Sequence, residues 1–131
     1  MTDQEKIEFL ATRVMGWYRP SRQSDVGFGY WSKTNETGGE TTMCCNWNPL
    51  LSISDAWMVV EKMRERNLSF MVGFSRDEGQ YFCDVWDAAR TERVGSTKEL
   101  LDMWNKGEAF GDTAPLAICN AALASVGVKD V

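Results

Sequence analysis

The segment SISDAWMVVEKMRERNLSFMVGFSRDEGQYFCDVW, residues 52–86, decides the fold. Ser52, Ser54 and Asp55 supply cap residues and an acidic first turn. Ala56, Val59, Val60 and Met63 then recur at helical spacing, which predicts a helix from Ser52 to about Arg66 with one buried stripe. Trp57 lies in this helix and is expected to anchor the core. Immediately afterwards Phe70–Phe74 and Tyr81–Trp86 are rich in aromatic and β-branched residues, and a charged turn separates them. An antiparallel hairpin is therefore predicted. Phe70, Val72 and Phe74 alternate with Met71 and Gly73, and Tyr81, Cys83 and Val85 alternate with Phe82, Asp84 and Trp86, so the hairpin has two unlike faces.

Upstream, Ile7, Leu10, Ala11 and Val14 mark one stripe of a helix over residues 3–15, which Gly16 ends. Residues 17–49 mix Trp17, Tyr18, Phe28, Tyr30, Trp31 and Trp47 with many small polar residues, a pattern of loops and short strands with aromatic anchors. Gly38-Gly39 within Lys33–Thr41 predicts a hairpin tip or an exposed loop. Downstream, Ser96-Thr97-Lys98-Glu99 has capping-box spacing ahead of Leu100, Leu101, Met103 and Trp104, so a short helix is predicted there with Gly107 as its stop. A last helix opens at Asp112-Thr113-Ala114-Pro115, carries Leu116, Cys119, Ala122, Leu123 and Val126 on one face, and stops at Gly127. This order gives an α+β fold, a twisted and largely antiparallel sheet covered by helices. A chain of 131 residues suits one domain, residues 1–131.

Composition narrows the function. Apolar residues are 44% and charged residues 25%, ordinary globular usage. No apolar run approaches the roughly 18–20 residues that span a bilayer, and MTDQEKIEFL lacks the basic start of a signal peptide, so a cytoplasmic location is expected, with no membrane partner. The net charge of −5 disfavours duplex nucleic acid, whose backbone attracts basic faces. No histidine is present, which removes Ser-His-Asp and Cys-His chemistry, and the four cysteines show no repeated zinc spacing. Free thiols are expected, the adjacent Cys44-Cys45 included, together with no metal and no cofactor. Asp84, Asp87 and Glu92 supply oxygens of the kind that hard cations need, but a solvated strand face accounts for them better. Gly27-Phe28-Gly29 and Gly38-Gly39 lack the spacing of a phosphate-binding loop and are turn glycines.

Val14-Met15-Gly16-Trp17, the segment Trp47-Asn48-Pro49 leading into Ser52–Met63, and Thr113–Leu123 together resemble the phage ABA sandwich domain family, small proteins of bacteriophages and prophages. The resemblance implies an α/β/α layered sandwich, a setting inside an infected bacterium, and no catalytic residues. By analogy of class, small phage proteins of this kind include inhibitors of bacterial immunity that sequester nucleotide-derived signals.

Six tryptophans, several beside arginines, carry the functional expectation. Aromatic faces stack on nucleobases and arginines clamp phosphates. Trp17, Trp31 and Trp47 on loops would stack on a base or ribose, Arg19, Arg22 and Arg90 would hold phosphates, and Asn48 would give a directional hydrogen bond. The reading is a homo-oligomeric binding protein for a cyclic ADP-ribose isomer or cyclic oligonucleotide, which it holds without cleaving. A module that masks a host protein and an enzyme that degrades the signal are the alternatives.

Overall fold

The structure, a computed structural model, describes residues 1–19, 31–43, 46–87 and 105–128. Helix α1, Asp3–Phe9, starts at Thr2, whose hydroxyl accepts the Glu5 N–H at 3.1 Å. It widens into a π-helical segment, Leu10–Val14, in which Leu10, Ala11 and Val14 are fully buried, as their spacing predicts. Strands β1, Trp31–Thr34, and β2, Glu40–Met43, form a hairpin whose tip contains the glycine pair. There Asn35 Oδ1 accepts from Gly39 N at 2.8 Å and Thr37 Oγ1 at 2.7 Å, an Asx-type turn.

Helix α2, Ile53–Glu65, is capped by Ser52, whose Oγ accepts the Asp55 N–H at 3.2 Å, and it buries the predicted Ala56, Val59, Val60 and Met63. Asn67, at φ 61°, turns the chain into β3, Leu68–Ser75, which pairs antiparallel with β4, Gln80–Asp87. The predicted hairpin is present; β4 alternates as predicted, with Cys83 and Val85 buried, whereas in β3 Met71, Val72 and Phe74 are all exposed. Strand β5, Asn105–Gly111, joins the other side of β4, giving the order β3-β4-β5, and α3, Ala114–Ser125, follows. Thr113 caps α3 and Pro115 stands in its first turn.

Directly paired residues share a face. Phe70, Cys83, Val85 and Ala109 therefore lie together on the side that packs against α2 and α3, with Cys83 and Val85 fully buried. Met71, Asp84, Glu108, Phe82 and Phe110 share the opposite side. Helix α3 is buried from Ala117 through Leu123, as befits a helix with packing on more than one side. Asn120 ties the layers together: its Oδ1 accepts from Lys6 Nζ and its Nδ2 donates to the Phe110 carbonyl, both at 3.1 Å. The fold is α+β, as expected. Among the described residues no helix is long and apolar enough to cross a membrane.

Two expectations are corrected. Gly107 does not stop a helix; it pairs with Val85 inside β5, where cross-strand pairing overrides the weak strand propensity of Asn-Lys-Gly-Glu. Residues 96–104, the rest of that predicted helix, lie outside the described residues. Trp57 is not a core anchor. It is 52% exposed, because one residue beyond Ala56 is a rotation of about 100° off the buried stripe.

Candidate functional site

The tryptophans proposed from sequence lie close together. An isolated antiparallel bridge, Tyr18 to Ser32, places residues 17–19 beside the start of β1. Trp17 and Trp47 meet edge to face with ring centroids 4.8 Å apart. The Arg19 guanidinium lies 4.0 Å over Trp31 and pairs with Glu8 at 2.7 Å. Trp17, Trp31 and Trp47 are 7%, 2% and 2% exposed, so most of their surface meets protein rather than solvent. The indole nitrogens of Trp31 and Trp47 are buried without a hydrogen-bond partner among the described residues.

Asn48 shapes the entry to α2. Its Oδ1 accepts the Leu50 N–H at 3.2 Å, its own N–H donates to Asp55 Oδ2 at 2.9 Å, and its carbonyl accepts the Ser52 N–H at 3.0 Å. Arg22 and Arg90, the other two proposed phosphate ligands, lie outside the described residues, as do Cys44, Cys45, Glu92 and Trp104.

A groove of about 600 Å³ lies between α2 and the segments 15–17 and 33–34. Trp17 contributes to its wall, with Lys33, Thr34, Trp57, Lys62 and Arg66. Most charges there are already committed. Lys62 pairs with Glu65 at 3.2 Å, Glu61 pairs with Arg64 at 2.8 Å, and Arg66 donates to the Arg13 and Val14 carbonyls at 3.3 and 2.6 Å. Lys33 has no ion-pair partner among the described residues. An exposed indole, one uncommitted ammonium and the hydroxyls of Thr34 and Ser54 thus share one groove. Sequence reasoning missed Trp57 and Lys33, although the offset of Trp57 from the buried stripe was the signal that could have found it.

The remaining reactive groups are muted. Burial, reinforced by neighbouring Asp84, pushes the Cys83 thiol up to about 12, and burial raises Cys119 still further. Neither is a thiolate at neutral pH. The Asp84 carboxyl is raised by burial first and then by Glu108, the residue directly opposite it on β5, and its Oδ1 is buried without a hydrogen-bond partner among the described residues. Among the described residues no group of three acidic or sulfur side chains converges as a metal site would require.

A small α+β domain of helices packed on an antiparallel sheet, with an aromatic and cationic groove beside its second helix, is the class that fold and site define. The chain belongs to the phage ABA sandwich domain family, whose sequence profile matches residues 8–123. Among solved structures it is similar to a phage protein from Bacillus cereus ATCC 14579, 21% identical, covering 96% of this chain and 88% of that one at a TM-score of 0.58. At that identity the likeness is one of fold. No curated protein matches the chain.

Proposed function

We propose that this is a phage accessory protein that sequesters a small nucleotide-derived signal of host immunity, a cyclic ADP-ribose isomer or a cyclic oligonucleotide, in the host cytoplasm and without cleaving it. The observation that carries this reading is Trp57, half exposed and lining the same groove as Lys33, which has no ion-pair partner among the described residues. An indole face stacks on a base, an ammonium meets a phosphate, and the Thr34 and Ser54 hydroxyls serve the ribose. A groove of about 600 Å³ is the size that holds a nucleotide. Trp17 belongs to this site through the wall it forms, with Trp47 packed edge to face against it.

Two features support binding without turnover. The chain has no histidine to act as a base, and the described thiols are buried. Sequestration demands affinity near the nanomolar range, roughly −12 kcal/mol, and that requires more enclosure than one open groove gives. The ligand is therefore covered further on binding.

The test mixes the full chain with a panel of cyclic oligonucleotides and cyclic ADP-ribose isomers and measures thermal shift, then heats the sample and separates what is released. One member should raise the unfolding midpoint and be recovered unchanged, and Trp57→Ala should abolish the shift. A degraded product would make the protein an enzyme. Absence of any shift would favour a protein that masks a host partner.

A further inference from the structure

We propose that β3 is a docking edge for a second copy of this chain, which pairs with it antiparallel about a two-fold axis and joins two three-stranded sheets into one of six strands. The order β3-β4-β5 leaves β3 at an edge, and no described strand pairs with its outer side. Edge strands of proteins that stay apart are blunted by charge, proline, a bulge or shortness. The opposite edge follows this pattern, since β5 carries Lys106 and Glu108 and its pairing with β4 shifts register between Val85 and Trp86. Strand β3 does not: Leu68–Ser75 is eight residues long, without a charge or a proline, and pairs with β4 in unbroken register.

Apolar side chains are exposed along this strand. Met71, Val72 and Phe74 are 39%, 38% and 54% exposed. Val72 shares its face with the fully buried Cys83, so the helices that cover Cys83 leave this edge partly open.

Charge selects a second copy, and selects its direction. At the end of α2 Arg64 pairs with Glu61 and Lys62 with Glu65, which leaves Arg66 as the net positive charge ahead of β3, whereas the turn after it carries Arg76, Asp77 and Glu78, one positive charge against two negative. Antiparallel pairing brings the positive end of each copy to the negative end of the other, whereas parallel pairing would set like against like. Residues opposed across one continuous sheet must share a face, so the two-fold axis passes through a residue rather than between two. Placed at Val72, it sets Phe70 opposite Phe74 of the second copy and brings Arg66 level with Glu78 of the second copy. Such self-complementarity is what an isologous interface requires.

Sedimentation equilibrium of the full chain across a concentration series tests this. The wild type should be dimeric at micromolar concentration, and Val72→Lys should weaken association by about tenfold or more, as a charge on the edge must be desolvated. Hydrogen exchange should show β3 amides that gain protection with concentration in the wild type only. Glu78→Lys should weaken the dimer, and adding Arg64→Glu should restore it, because in a homodimer the double reversal rebuilds both ends. A wild type that stays monomeric at about 100 µM, well above the micromolar Kd expected, overturns the proposal. So does a dimer indifferent to Val72→Lys, or a charge reversal that the second substitution fails to rescue. Lys33 and Trp57 are untouched in every variant, so loss of dimer and loss of ligand can be read separately.

Discussion

Replacing Trp47, which is 2% exposed and packed edge to face on Trp17, with alanine removes a large buried ring and leaves a cavity. Such a change costs about 3–5 kcal/mol, whereas Trp57→Ala, at an exposed position, should fall within about 0.5 kcal/mol of the wild type. Urea unfolding of the two variants checks the difference, and comparable losses would place Trp57 in the core after all. At Asp84 the folded state raises the carboxyl pKa, so the stabilising contribution of the protonated form is complete below the unfolded value of about 3.9 and is lost as pH rises through the raised folded value. At neutral pH the ionised group is therefore a net cost. Asp84→Asn should stabilise the fold at pH 7 by ~0.2–1 kcal/mol, the scale of a like-charge cross-strand pair, and its advantage should shrink as the pH is lowered. The same sign holds for Cys83, whose thiol is raised to about 12: stability should decline as pH climbs from about 9 towards that value. Which tryptophans are core and which face solvent was the part of the site that sequence did not reveal. Residue type sets how much a ring gains by burial, but only the azimuth on α2 and the packing of 17–19 against β1 decide which ring is covered.

Gly111 and Gly73 both sit in strands, yet their surroundings differ in kind. A Cβ at Gly111 would come within 2.7 Å of the Ala117 backbone nitrogen and 3.1 Å of the Leu116 carbonyl carbon, where α3 lies directly against β5. At Gly73 the obstacle is the Phe82 ring, with Cζ at 2.7 Å, which can swing aside. Gly111→Ala should therefore cost about 1–3 kcal/mol by forcing helix and strand apart, and Gly73→Ala distinctly less. Denaturation midpoints of the two variants, compared at equal slope, decide this. The elements were legible where local pattern and tertiary role coincide: the four buried positions of α2, the stripe of α1, the capped start of α3 and the hairpin of β3 and β4 all follow from periodicity. Strand β5 was not legible. Its sequence has no alternation that isolates it, and β4 supplies the partner that makes it a strand.

Across the whole molecule the net charge of −5 and the small number of uncommitted cations in the groove make a combined prediction about ionic strength. A protein that grips a polynucleotide backbone displaces several counterions, and its log affinity falls steeply with log salt, by nearly one unit for each phosphate contacted. The groove here offers Lys33 as the one ammonium free of a carboxylate among the described residues, while Lys62 and Arg66 are already engaged. Binding of a small anionic ligand should therefore show a slope no steeper than about −1 to −2. The acidic surface adds an opposing effect, since it repels an anion over roughly a Debye length, about 10 Å at 0.1 M, and salt relieves that repulsion. The association rate should hence rise modestly with salt while dissociation quickens, flattening the overall dependence. Titration of the ligand found in the thermal-shift panel, at salt concentrations from about 0.05 to 0.5 M, measures both. A slope near −4 or steeper would mean that a run of phosphates is held by several cations at once, which would move the reading from a captured small signal to a bound single strand.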